Sequence, residues 1–294
     1  MASGDGVIAD GGVGSADGNG ATAAPRRPPR PSRLATAGSL HSSRWVFLHR
    51  LPNSCRATRP ISARSGRPEA ACDHASVTTI GFLGGTGDQG RGLARRLALA
   101  GHDILIGSRD AERAARVAGE LATDLPEGTG VRGAANRDVA REAELVVVAV
   151  PWEGHAALLR DVADELAGEV VVDCVNPLGF DGKGAYALDV EEGSAAQQAA
   201  ALLPGSRVVA AFHHVSAVLL LDPAVDRVDS DVLVLGDDRE ATDTVQALAD
   251  QVPGMRGIYA GRLRNAHQVE ALTANLISVN RRYKAHAGLR VTDV

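Results

Sequence analysis

The stretch Thr78–Gly92, TTIGFLGGTGDQGRG, constrains the fold of this chain more than any other. An apolar run, Ile80 to Leu83, opens into Gly85-x-Gly87-x-x-Gly90, and a helical pattern from Arg91 to Ala100 follows at once. Strand, glycine turn and helix in this order point to a dinucleotide site, the alternative being a glycine turn that binds nothing. One glycine bends the chain, one lets a pyrophosphate approach the backbone, and one packs helix on strand. Phosphates then sit on the amides of the helix N-terminus, where the helix dipole favours anions. A P-loop is excluded, because Arg91 and Gly92 stand where it needs Lys and Ser or Thr. A short-chain dehydrogenase is disfavoured as well: Tyr186, Tyr259 and Tyr283 are followed four residues on by Val190, Leu263 and Ala287 rather than by Lys.

Downstream, Asp103–Gly107 reads as a second strand that ends in Ser108-Arg109. An NAD site would place an acid near this point to hold the ribose hydroxyls. Here Ser108 can donate to a 2′-phosphate and Arg109 can add a charge-assisted bond. If Asp110 starts a helix, Arg113 closes over the same group, so the pattern favours NADP. The alternative is that Arg109 caps a surface turn.

Helix Ala111–Leu121, strand Val131–Ala134, helix Asp138–Ala143 and strand Leu145–Val150 continue the alternation, with Val150 and Pro151 at a strand end facing the crevice. Helix Ala156–Leu166, strand Val170–Asp173 and a loop from Asn176 through Gly184 follow. Asn176, just past that strand, joins the cofactor-binding candidates. Later elements are helix Ser194–Leu203, strands Arg207–Ala211, Val232–Gly236 and Arg256–Tyr259, and helices Glu240–Gln251 and Arg264–Tyr283. The expected fold class is α/β, a Rossmann-like doubly wound parallel sheet over 77–206 with a small C-terminal α/β capping region over 207–294. His213 and His214 point to opposite sides if their strand continues, a poor metal pair, so no metal site is expected. His213 stands at a strand end, where a ring donor could meet a cofactor.

Composition bears on what precedes the first strand. Residues 1–76 carry 10 Arg and 5 acids, against 21 basic and 31 acidic residues in 77–294. The segment lacks periodicity and apolar content, so it reads as a disordered, removable leader. A misassigned start, a transit peptide and a nucleic-acid tail are the readings weighed for it. No run approaches the roughly 18 to 20 apolar residues of a membrane span. Three cysteines, Cys55, Cys72 and Cys174, lack metal-ligand spacing, which suits a reducing cytoplasm. Small-molecule substrates are expected, with no nucleic acid and no membrane as partner, and a homodimer is left open.

Taken with Gly84-Gly85-Thr86-Gly87, Gly107-Ser108-Arg109 and Pro151-Trp152-Glu153, three later phrases carry a resemblance: Ala211 to Ala217, Gly236-Asp237-Asp238 and Val269-Glu270-Ala271-Leu272-Thr273. From about Thr79 to Ala287 the chain resembles the NADPH-dependent reductases of the deazaflavin coenzyme F420. That resemblance implies NADP held by Thr86, Gly87, Asp88, Gln89, Ser108, Arg109, Arg113, Pro151 and the backbone at Ala217, beside the Gly85 and Gly90 of the glycine turn. It also implies a deazaflavin against the nicotinamide near Thr86, His213 and Thr273, in a pocket formed by 207–294. Direct hydride transfer needs two stacked rings and little acid–base chemistry, so His213 and Thr273 would be orienting or charge-stabilising donors. Two other functions fit the dinucleotide half, an imine or keto reductase akin to the pyrroline-carboxylate reductases and a non-enzymatic NADPH sensor. Against the first, only a short stretch follows Tyr259, where those enzymes add a helical dimerisation domain.

Overall fold

The computed structural model describes residues 78–294; the leader expected over 1–76 lies outside the described residues. Strands β1 (Thr79–Leu83), β2 (Asp103–Ser108), β3 (Val131–Ala135), β4 (Leu145–Val148) and β5 (Val170–Asp173) alternate with helices α1 (Asp88–Leu99), α2 (Ala111–Thr123), α3 (Asn136–Glu142) and α4 (Trp152–Asp161). A hairpin of β6 (Leu178–Asp181) and β7 (Gly184–Ala187) follows, then α5 (Ala195–Leu202) and β8 (Arg207–Ala210). The chain continues through α6 (Ala217–Leu221), β9 (Ser230–Gly236), α7 (Arg239–Asp250), β10 (Met255–Gly261) and α8 (Ala266–Tyr283).

Eight strands form one sheet in the order β10-β9-β8-β5-β4-β1-β2-β3. Its central strands are buried on both faces, which is why they read as unbroken apolar runs. On β4, Leu145 and Val147 enter one core with Leu93 and Leu97 of α1 and Val117 of α2, whereas Val146 and Val148 enter the other with Val139 of α3 and Leu159 of α4. Helices α1, α2, α6 and α7 cover the first face and α3, α4, α5 and α8 the second. Among the described residues no helix is long and apolar enough to cross a membrane.

Beyond the parallel strands expected over 77–206, β9 pairs antiparallel with β8 through Val209↔Gly236 and Ala210↔Leu235. The link from β8 to β9, residues 211–229, carries the 5-residue α6. Only the end of β9 overlaps β8, so most of β9, with β10 parallel beside it, extends past the carboxyl end of β8. Where the β8–β9 ladder stops, the ring of His214 takes over as acceptor, its Nε2 receiving the Leu233 N–H at 3.4 Å.

Buried Arg96 locks α6 to α1. Its guanidinium donates to the carbonyls of Leu219, Leu220, Asp222 and Val225 at 2.6, 2.8, 3.2 and 2.7 Å, satisfying groups that so short a helix leaves open. The hairpin also departs from the loop expected there. Its signal was legible: Asp181-Gly182 lies between two short apolar segments, and the Asp181 carboxylate accepts from the Lys183 and Gly184 amides at 2.7 and 3.1 Å.

Candidate functional site

The glycine turn is built by close approach. Gly84 sits at φ +67°, a left-handed conformation that a Cβ would strain, and its N–H donates to Asn136 Oδ1 at 3.1 Å. The Gly85 N–H returns to the Phe82 carbonyl at 3.1 Å. A Cβ on Gly90 would fall 2.7 Å from Gly85 Cα, so only glycine lets α1 pack this tightly on the turn. Around Gly87 the opposite holds, since a Cβ there would meet nothing within 4 Å. Gly87 is also the N-cap of α1 and no side chain caps that helix, which leaves its first-turn amides available to an anion.

In front of the turn lies a cavity of about 840 Å³. Thr86, Gly87, Ser108, Arg109, Arg113, Val150 and Pro151 line it, together with Asn136 and Arg137. Asp110 is the N-cap of α2 and accepts from the Glu112 and Arg113 amides at 3.0 and 3.2 Å. The acid next to Arg109 is therefore committed to a helix end. Ser108 Oγ accepts from the Asp110 N–H at 3.2 Å, which keeps its own proton free to donate. Among the described residues the guanidinium groups of Arg109 and Arg113 have no protein partner, whereas that of Arg137 is held by Asp161 and Glu165 at 3.0 and 2.8 Å.

Gly85, Asp88, Gln89 and Gly90 stand behind this wall, in the turn and the first turn of α1. Asn176, His213, Thr273 and Ala217 do not line the cavity, but the first three converge. Asn176 Nδ2 and Thr273 Oγ1 donate to the His213 carbonyl at 2.9 and 3.1 Å, and Gln89 Nε2 donates to the Phe212 carbonyl at 3.2 Å. The His213 ring, expected to act as a donor, is 3% exposed, and neither ring nitrogen has a partner among the described residues. Burial pushes its pKa down to about 4, an effect that nearby Asp173 only partly offsets, so the ring is neutral near pH 7. Ala217 begins α6, and Trp152 packs on the His155 ring with centroids 5.5 Å apart.

A buried polar network beneath the crevice was not visible in the sequence. His155 and Asp173 are both fully buried, with Nε2 and Oδ2 2.6 Å apart, while His155 Nδ1 lies 3.0 Å from Gln198 Oε1. The Gln198 amide nitrogen donates to Glu192 at 3.1 Å, which turns its oxygen toward the imidazole. Both ring nitrogens therefore face acceptors, and the arrangement is satisfied by an imidazolium. Burial pulls the His155 pKa down, but Asp173, Gln198 and Glu270 outweigh it and the net shift is upward. Glu270 on α8, 1% exposed, accepts from the Ala195 and Ala196 amides at the start of α5 at 2.9 and 3.1 Å. Burial raises its pKa to about 7, more than those two bonds lower it. The only sequence signals were an Asp ending the apolar strand VVVD and a His within an apolar helix, and each has many bland explanations.

A pH dependence follows. Glu270 and His155 hold a proton more tightly folded than unfolded, so their stabilisation is complete below their unfolded pKa values and is lost as pH rises through the folded ones. His213 and His214, both pushed down to about 4, act in the opposite sense, but only below the unfolded imidazole value of about 6.5. Between about pH 6.5 and 8 the melting temperature should therefore fall, and Glu270→Gln should shrink that fall. An unchanged slope in the variant would show that Glu270 does not titrate in the folded protein over this range.

The fold and crevice define an α/β protein of the Rossmann-like, dinucleotide-binding class. A family model described as "NADP oxidoreductase coenzyme F420-dependent" matches residues 79–177. The F420-dependent NADP reductase of Methanothermobacter marburgensis is 41% identical over 221 residues, which are 73% of this chain and 98% of that protein. Its counterpart from Methanocaldococcus jannaschii is 38% identical with the same coverage of both chains. A solved structure from Arthrobacter sp. FB24, named for an F420-dependent NADP reductase, superposes with a TM-score of 0.63 at 32% identity, covering 73% of this chain and 99% of that one. The chain belongs to the F420-dependent NADP reductase family.

Proposed function

We propose that this protein is an NADP-dependent oxidoreductase that exchanges hydride between NADP(H) and coenzyme F420. The observation that carries the nucleotide half is the pair of uncommitted guanidinium groups, Arg109 and Arg113, on the wall of a cavity that also takes in Gly87 and Ser108. A phosphorylated dinucleotide fits those residues. The open side of Gly87 and the uncapped start of α1 suit the pyrophosphate, and Ser108 with the two arginines suits a 2′-phosphate. The deazaflavin half is supported by the family.

When both are bound, the nicotinamide and the deazaflavin supply the redox chemistry: one hydride moves between them, and one proton completes the reduced deazaflavin. The chain has to orient two rings and exclude water, and the cavity lining accordingly holds no histidine to act as an acid or base. No observation favours the imine-reductase or sensor reading over this one. The same reading places the enzyme in the cytoplasm, acting on small molecules.

Arg109→Ala should weaken NADPH binding by about 1.5 to 3 kcal/mol, the range for a hydrogen bond to a charged group, and leave NADH nearly unaffected. Fluorescence titration of both nucleotides measures this. Equal losses for the two would mean that Arg109 supports the fold and does not read the 2′-phosphate.

A further inference from the structure

Two consecutive peptide carbonyls just past β8 are gripped by side chains from three separate parts of the fold. Phe212 has φ 63°, in the left-handed region that a bulky L-residue avoids because its Cβ crowds the backbone carbonyl. Such a conformation persists only where the surroundings over-determine it. The Phe212 ring is 1% exposed, so the turn cannot relax by swinging outward. Its carbonyl is held by Gln89 from the first turn of α1, and the next carbonyl, of His213, by Asn176 after β5 and by Thr273 from α8.

The Thr273 donor is spent on backbone, and Gln89 and Asn176 each commit one of two amide protons to it. Thr273 has a single hydroxyl proton, and the His213 carbonyl at 3.1 Å is nearer than Asn176 Oδ1 at 3.4 Å. Beyond the turn the chain stays keyed to α1. A Cβ on Gly92 would come within 2.6 Å of Leu220 Cβ and 3.5 Å of the Ala217 carbonyl, and Arg96 clasps the far end of α6. Residues 212–221 thus lie along the helix whose N-terminus is the glycine turn.

We propose that Gln89, Asn176 and Thr273 are positioning residues: they hold the strained Phe212–His213 turn and so fix the backbone of 213–217 beside the glycine turn. What meets that backbone, the nicotinamide and the deazaflavin, rests on the function proposed above; the turn itself does not. Side chains that act through one shared turn are energetically coupled, whereas separate contacts to two different ligands are not.

The test uses the full chain with Gln89→Leu, Thr273→Val, the double variant, and Thr273→Ser, which keeps the hydroxyl. Gln89→Glu, which keeps the shape and loses the donor, replaces Gln89→Leu if that variant fails to fold, and Thr273→Ala replaces Thr273→Val in the same case. Amide hydrogen exchange in ligand-free protein should quicken about tenfold at 212–217 in each single variant, with β1, β4 and β5 unchanged. Turnover with NADPH and F420 should fall about tenfold in kcat, with both KM values within about threefold, and Thr273→Ser should match the parent. The double variant should be no more than about threefold worse than the poorer single one. Unchanged exchange at 212–217 overturns the proposal, as does a raised KM for one substrate with kcat intact, or losses that multiply. If the parent protein itself shows no turnover, the functional reading has failed and the exchange measurement alone decides the role of the turn.

Discussion

Asp173→Ala should cost about 3 to 5 kcal/mol of folding stability, the range for removing one partner of a buried ion pair. Asp173 and His155 are both fully buried, and the carboxylate accepts from His155 Nε2 at 2.6 Å and from the Val175 amide at 3.0 Å. Its loss strands an imidazole whose other nitrogen already faces the Gln198 oxygen, and it frees the turn that leads to Asn176. Domains of this kind hold roughly 5 to 15 kcal/mol in all, so the variant should unfold at much lower urea. Asp173→Asn keeps one oxygen for the Val175 amide and turns its NH2 toward His155 Nε2, which a neutral ring protonated at Nδ1 can accept, so it should lose distinctly less. Urea titration of the two variants measures the difference. A loss below about 1 kcal/mol in Asp173→Ala would show that His155 is neutral and the pair weak. Nitrogen chemical shifts of the His155 ring near pH 7 give an independent reading of its charge.

Local signals made the front of the site legible in the sequence. The glycine turn, β2 and the Ser108-Arg109 pair depend on neighbours along the chain, and β5 occupies the residues its apolar run predicts, Val170–Asp173. Asn136 was missed because its partner, the Gly84 amide, is 52 residues away, and no short pattern announces such a contact. The antiparallel run of β9 was not legible either, because apolar alternation gives a strand but not its direction. At His213 residue type pointed to the ring, whereas the structure uses the carbonyl, because the left-handed Phe212 before it turns the backbone toward Asn176 and Thr273. Buried charge was the least legible feature. Whether Asp173 or Glu270 is a solvated acid or an interior anchor depends on what packs against it from α4 and α5, and composition carries no record of that.

The second large effect is turnover itself. Hydride exchange between two organic rings needs no metal ligand from the chain. The requirement is instead geometric, two rings brought to near-attack distance in a crevice already shaped for one nucleotide, and orientation of this kind is worth several orders of magnitude in rate. Chelator-treated protein should therefore be as active as untreated protein, and NADPH should be preferred to NADH because of Arg109 and Arg113. The decisive measurement mixes purified, chelator-treated protein with NADPH and oxidised F420 under anaerobic conditions and follows deazaflavin and nicotinamide absorbance together. Both signals should be lost in equal molar amounts, with the reverse change on mixing NADP and reduced F420. Protein that binds NADPH yet exchanges no hydride with F420 in either direction would contradict the proposed function.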